Sequence, residues 1–447
     1  MTTIYTARWV HPISSPPIED GAITIEGDRI VCVDVRRSVV EQYPEAKLQD
    51  FGEAAIVPGL VNTHTHFELT AMRGYLENEE SNFFAWLRKL TIARVERMTP
   101  DDILVSAAWG ACEAVRAGIT AVGDASDSAT MSMAALKEVG LRGIVFQESF
   151  GPDPSLVMQN FEQLKSKVAL SKEAETGLVR AGVSPHAPYT VCAEQLELIA
   201  DYAVTEKLPL MMHAAESAAE ESLLREGCGL FAEGLAKRNI QWSTPALSPI
   251  QYLKRHGILK TQPLLAHCIR VDAEDIEALS ESNSKVAHCP KSNAKLGHGR
   301  APFASFLKRG VEVGLGSDSV ASNNTCDILE ESRFAALMAR SDAMISAEEV
   351  LSAATVGGAK CLGLDAGELK VGAQADLAVV ALSGTHQLPV YDLSASLVFS
   401  SSGRDVLMTM VAGKEVYRDG RVLNVDEDHL LNRIREIAAK LTCDSER

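Results

Sequence analysis

The amino-acid sequence predicts an α/β protein, a (β/α)8 barrel carrying a small β-sandwich domain built from both chain ends. Three observations predict it. Short β-branched runs occupy both ends of the chain, eight apolar strands separated by helical stretches lie between them, and a histidine or aspartate directly follows several of those strands.

Residues 1–56 contain the runs 3–5, 22–25 and 29–33, separated by turn residues such as Gly27-Asp28, which predicts a small antiparallel sheet. From 57 to 362 the texture changes. Apolar strands are expected at 57–62, 121–123, 142–147, 179–183, 209–213, 264–267, 285–288 and 312–316. Helical stretches fall between them, among them 101–117, 129–139, 193–206, 215–236 and 325–342. Parallel strands joined by helical crossovers, eight in number, suffice to close a barrel. Short strands return at 375–380, 396–398, 406–411 and 414–418, with a hairpin signal between Val411 and Val416. The simplest architecture joins 1–56 and 363–426 into one composite β domain, inserts the 57–362 barrel between them, and leaves 427–447 as a terminal helix and tail.

The chain has 447 residues, 46% of them hydrophobic, and a mean hydropathy near zero, as a soluble globular protein does. Its 43 Lys and Arg against 60 Asp and Glu give a formal net charge of -17, which repels a phosphate backbone and argues against nucleic acid as a partner. Nine scattered cysteines without a C-x-x-C pair suit a reducing cytoplasm. No targeting pattern opens the sequence and no apolar run is long enough for a bilayer, so a cytoplasmic protein with no membrane association is expected.

His64-Thr-His66 follows the first expected barrel strand, and a two-residue spacing on extended chain puts both imidazoles on one face, within reach of one ion. His186, His213 and His267 follow later strands in the same way, as does Asp318. Catalytic groups of such barrels come from the carboxyl ends of the strands. His64, His66, His213 and Asp318 would supply a four-ligand set for one divalent ion, with His267 as a further ligand or a hydrogen-bond partner of bound water. Glu216, three residues beyond His213, can point back toward that ion without ligating it and carry protons. As an alternative, it is a helix N-terminal acid.

These pieces resemble the amidohydrolase superfamily, in its deaminase and chlorohydrolase-like branch. The matching segments are Val57-Pro-Gly-Leu-Val-Asn-Thr-His64-Thr-His66, Ser184-Pro-His186, His213-Ala-Ala-Glu216, His267-Cys, His288-Cys-Pro-Lys291-Ser-Asn293, and Gly316-Ser-Asp318 through Asn323-Asn324. The resemblance implies one zinc or iron ion held by His64, His66, His213 and Asp318, with Glu216 as proton shuttle and His267 on the nucleophilic water. It implies hydrolytic deamination of a cyclic amidine, a small-molecule substrate, and a homodimer as a family expectation. A triazine chlorohydrolase would use almost the same constellation, and guanine and cytosine deaminases belong to the same branch.

The resemblance also places Arg142 and His186 in the substrate pocket, and His288, Lys291, Asn293 and Asn323 follow the late strands near the same mouth. Glu68, two residues past His66, would either accept hydrogen bonds from a polar substrate or orient a ligand imidazole. Phe83, Phe84 and Trp86 lie in a segment placed to cover the pocket, where they would stack on an aromatic base or pack their own helix. The variants His66-Phe-Glu68-Leu and Phe83-Phe-Ala85-Trp86 favour the aminodeoxyfutalosine-deaminase group of menaquinone biosynthesis, acting on 6-amino-6-deoxyfutalosine. The 5-methylthioadenosine/S-adenosylhomocysteine group ranks second.

Overall fold

The computed structural model describes residues 2–443. The chain opens with five short strands, β1 (Thr2–Val10), β2 (Ile18–Glu26), β3 (Arg29–Val35), β4 (Lys47–Asp50) and β5 (Ala54–Pro58). Eight more follow, each separated from the next by helix: β6 (Leu60–Thr65), β7 (Ile119–Ser126), β8 (Arg142–Ser149), β9 (Val179–Pro185), β10 (Met211–Ala214), β11 (Leu264–His267), β12 (Lys285–His288) and β13 (Val313–Leu315). The last four are β14 (Leu377–Ala381), β15 (Val406–Val411), β16 (Lys414–Arg418) and β17 (Arg421–Val422).

Both chain ends share one sheet. Its order is β17-β16-β15-β14-β5-β1-β2-β3, with β4 added against β1. β5 and β14 join the two halves antiparallel, Val57 opposite Ala378 and Ala55 opposite Val380. Ile23, Ile30, Ile56, Val379 and Met408 are buried in one cluster on this sheet, as alternation on half-buried strands requires.

The eight central strands form two four-stranded parallel sheets, β6-β7-β8-β9 and β10-β11-β12-β13. At one seam Val183 bridges Leu210 in parallel. At the other, Asp318 N donates to His64 O at 2.9 Å and Thr63 Oγ1 to Leu315 O at 2.9 Å. Val61, Ala121, Ile144, Phe146, Met211 and Ala266 pack together between the sheets. The core is barrel-like, and because its strands run parallel their carboxyl ends gather the residues that follow them.

Three expected elements differ. The run 57–62 is two strands that part at Gly59, where a Cβ would come within 2.0 Å of the Thr120 hydroxyl. The helix 215–236 breaks into Ala218–Glu226 and Leu230–Lys237, with Gly227 and Gly229 between them at φ +69 and +87. The strand expected at 396–398 lies inside the helix Leu393–Phe399. Asp392 caps that helix, accepting from Ala395 N at 2.8 Å, and a good N-cap outweighs a short β-favouring run. The terminal helix, Glu427–Cys443, docks on the helix Pro100–Arg116, where Lys440 pairs with Asp102 at 2.7 Å. No helix among the described residues is long and apolar enough to cross a membrane.

Candidate metal centre

Alternation along β6 turns His64 and the following His66 toward the same space, and both are buried. His213 enters from β10, its Nε2 3.2 Å from His66 Nε2. Its Nδ1 lies 2.8 Å from the carbonyl of His186, an acceptor that fixes the proton on Nδ1 and leaves Nε2 free to ligate. Asp318 follows β13 in the left-handed region, at φ +58. Two serines, Ser292 and Ser322, each donate to its Oδ2 at 2.7 Å. Its Oδ1 is left facing His64 Nε2 at 3.4 Å and His66 Nε2 at 3.7 Å.

Ligands at about 2.0–2.1 Å from a tetrahedral ion stand about 3.3 Å apart. The separations of 3.2, 3.4 and 3.7 Å are close to that figure. His64, His66 and His213 form one group able to hold an ion, and His64, His267 and Asp318 a second that overlaps it. His64 Nε2 is buried without any hydrogen-bond partner, an orphan that a cation would satisfy. The donor set of imidazoles and one carboxylate suits zinc.

Electrostatics keep these groups in ligating form. Burial, followed for His66 and His213 by the charge of neighbouring imidazoles, lowers His64 to about 4 and His66 and His213 to about 3. Burial pushes Asp318 the other way, yet the His64 ring that faces it and the surrounding imidazoles hold it well below the usual carboxylate range. At neutral pH the cage is therefore three neutral rings and an anion.

His267, at the end of β11 and also at positive φ, +74, carries a different load. Its Nδ1 is 2.9 Å from Asn293 Oδ1, and its Nε2 is 3.8 Å from Glu216 Oε1. Burial opposes its protonation, but the charges of Glu216 and Asp318 raise its affinity for a proton overall. Burial raises Glu216 in turn. Backbone N–H groups of Ala215 and Glu216 both donate to Glu220 at 2.9 Å, which pins the turn bearing Glu216.

A cavity of about 60 Å3 opens beside these groups, lined by His66, His213, Glu216, His267 and Asp318 and walled by Leu69, Phe83, Trp86, Leu90, Tyr189 and Leu296. Ligand pockets commonly measure about 300–1,000 Å3, so this one is small, and the helix Phe83–Ile92 covers it. Trp86 and His186 line the cavity as expected.

Five other expected substrate contacts, Glu68, Arg142, His288, Lys291 and Asn323, do not line it. Glu68 is fully buried in a short helix, Phe67–Met72, because the chain coils after His66 and the two-residue alternation stops there. It accepts from Ser126 Oγ at 2.6 Å, Arg94 Nη1 at 3.1 Å and Ser128 N at 3.1 Å, which orders the cover. Arg142 stands at the start of β8, at the opposite end of the strand from the site. It binds Asp376 through Nε at 2.7 Å and Nη2 at 3.1 Å. Asn323 is turned away, its amide donating to Glu331 Oε1 at 2.6 Å. His288 packs on the Phe303 ring at 5.3 Å. Lys291 pairs with Glu330 at 2.6 Å.

Two residues of the site were not anticipated. Glu148 ends β8 and lines the cavity; it follows an apolar strand as the histidines do, so the same signal could have found it. His298, with Nε2 3.6 Å from Glu216 Oε1, lies in a loop beyond β12 and carries no such signal.

A sequence model of the amidohydrolase family matches residues 55–416. The chain is 34% identical over 427 residues to the 5-methylthioadenosine/S-adenosylhomocysteine deaminase of Pelotomaculum thermopropionicum, covering 94% of each chain. Its fold is similar to that of an adenosine deaminase from Xanthomonas campestris with bound zinc, with a TM-score of 0.86, 25% identity, and coverage of 99% of this chain and 98% of that one. The aminofutalosine deaminase of Helicobacter pylori, in complex with methylthio-coformycin, is similar in fold at a TM-score of 0.80 and 22% identity, over 93% of this chain and all of that one.

Proposed function

The chain belongs to the amidohydrolase family, and from that premise we propose that it is a zinc-dependent deaminase that hydrolyses the ring amine of an adenine-type nucleoside and releases ammonia. One observation carries this reading above all. A buried carboxylate, Glu216, faces His267 Nε2 at 3.8 Å beside a cage fit for one divalent ion, the pairing that amine departure from a ring carbon needs.

His64, His66, His213 and Asp318 hold the ion in this reading. When bound, it lowers the pKa of a water toward neutrality and so supplies the nucleophile. Asn293 fixes the His267 ring so that Nε2 faces the incoming oxygen. Glu216 would take the proton given up by the attacking water and pass it to the ring nitrogen beside the attacked carbon, then carry the proton of the new hydroxyl to the departing amine, which would otherwise leave as an amide anion. Trp86, Phe83 and Leu90 cover the base and exclude water. The two parallel sheets are read as one closed (β/α)8 barrel over 57–362, with 1–56 and 363–426 as a composite β domain and the terminal helix outside both.

Among nucleosides, 5-methylthioadenosine and S-adenosylhomocysteine come first and 6-amino-6-deoxyfutalosine second, reversing the order taken from the sequence. Glu68, one of the two variants that favour the aminodeoxyfutalosine group, is bound by Ser126 and Arg94 and does not line the cavity. The relative 34% identical over nearly the whole chain supports the new order. The test is ammonia release from these three compounds, adenosine, guanine and cytosine by the zinc-loaded protein. Turnover confined to guanine or cytosine, or none at all, would refute it.

A further inference from the structure

Resting on the deaminase reading above, we propose that Glu148 is a specificity-determining residue: its carboxyl oxygen Oε1 accepts a hydrogen bond from an N–H or O–H of the bound substrate and selects amidines that carry such a donor. The side chain is 2% exposed and lines the cavity beside His186 and His213. Its Oε2 lies 3.5 Å from Arg94 Nη1, while Oε1 is buried with no hydrogen-bond partner. A buried oxygen left bare in a cavity wall is costly unless something that enters the cavity satisfies it.

No protein group among the described residues makes a hydrogen bond to Oε1. Arg94 already gives Nη1 to Glu68 Oε1 at 3.1 Å, and it faces Asp127 at 3.9 Å as well, so three carboxylates surround one guanidinium. Thr190 Oγ1 donates to Ala187 O at 3.1 Å and therefore accepts from His186 Nδ1 at 2.8 Å. The proton of His186 is thus on Nδ1, and its Nε2 is a second acceptor.

Glu148, His186 and His213 offer ligand atoms within 4.8 Å of one another, which raises the question of a second ion. Both ring nitrogens of His213 are committed, one to the His186 carbonyl and one beside His66. Two ligands remain, fewer than a zinc site takes from protein. An unpartnered Glu148 oxygen beside the acceptor nitrogen of His186 is matched by a donor-bearing ligand.

The experiment compares adenosine with 2′-deoxyadenosine, 3′-deoxyadenosine and 6-chloropurine riboside, each lacking one donor group, on zinc-loaded full-length protein. Wild type is expected to prefer adenosine over at least one analogue by roughly 100-fold in kcat/KM, since a site built for a donor rejects the molecule lacking it. Glu148→Leu is expected to bring that ratio below roughly tenfold with zinc content unchanged. Equal loss on all four compounds, or an unchanged ratio, overturns the proposal. If the leucine variant does not fold, Glu148→Ala, which also lacks the acceptor, takes its place, and a ratio it leaves unaltered is equally fatal. Calorimetric titration of the same compounds into the zinc-loaded Glu216→Gln protein separates the two ideas. Discrimination in binding that depends on Glu148, without turnover in wild type, sinks only the deaminase reading; no discrimination in binding or turnover sinks this one.

Discussion

His267 Nε2 stands 3.8 Å from Oε1 of Glu216, while the other nitrogen of the same ring is held at 2.9 Å by Asn293. The ring is thus fixed in orientation by one neighbour and left facing the proton carrier with its second nitrogen. That division of labour makes Glu216 separable from the metal cage. Glu216→Gln is expected to bind one equivalent of zinc and to lose activity by roughly 100- to 10,000-fold, the usual range for a general acid–base group. Full activity in that variant would remove Glu216 from the chemistry.

Asn293 is predicted to act through His267. Asn293→Ala frees the ring to rotate, so kcat should fall by roughly 10- to 100-fold, as for partners that orient catalytic histidines, with KM little changed. Asn293→Asp keeps an acceptor at the same place and should recover most of the loss. A KM effect without a kcat effect would place Asn293 in substrate binding instead.

Removing the ion should cost stability as well as activity. The cage buries Asp318 among three neutral imidazoles, and without a cation its Oδ1 has only those rings to face. Dialysis against a chelator is expected to abolish turnover and lower the melting temperature, and zinc should restore both. His66→Ala should reproduce the loss, with zinc no longer restoring it. An apoprotein melting where the loaded protein does would show that the ion adds nothing to the fold.

Arg142 separates structure from specificity. Its bidentate pair with Asp376 is buried and ties β8 to the residue just before β14, at the end of the core away from the cavity. Breaking such a pair from one side leaves an unpaired buried charge and costs about 3–5 kcal/mol. Arg142→Ala is therefore expected to unfold at markedly lower denaturant while KM for every nucleoside in the panel stays within a factor of about two of wild type, less than 0.5 kcal/mol. A selective rise in KM would return Arg142 to the substrate.

The contrast between Arg142 and Glu148 shows what the sequence made legible. Both lie in β8, and the rule that places chemistry at the carboxyl ends of barrel strands excludes the first and admits the second. The same rule picks out the histidines and Asp318, which converge on one cage, whereas the resemblance alone points to Arg142. Glu68 misled for a different reason: its expected direction assumed extended chain, and the coil after His66 depends on burial of Phe67 and Leu69 against neighbours distant in sequence. His298 was out of reach altogether, because a loop residue enters a site only through the path of the loop. The split at Gly59 likewise depends on Thr120, sixty-one positions away, and no local pattern carries it.

Asp124 gives a prediction in pH. It lies in β7 with Oδ1 accepting from Phe67 N at 2.7 Å and Oδ2 buried without a partner. Burial raises its pKa from the ordinary carboxylate value to about 8. The folded chain therefore binds this proton more tightly than the unfolded chain, so its contribution to stability is fully present below about 4 and is lost as pH climbs toward 8. Each tenfold difference in proton affinity is worth about 1.4 kcal/mol, so the loss should reach at least that size by pH 9. Asp124→Asn keeps an acceptor for Phe67 N and has no proton to lose. Its melting temperature should consequently decline less than that of wild type between pH 5 and pH 9, because titration of all other groups is common to both proteins and cancels in the comparison. Parallel melting curves across that range would mean that Asp124 ionises in the fold as readily as in water, and that the bare Oδ2 is hydrated.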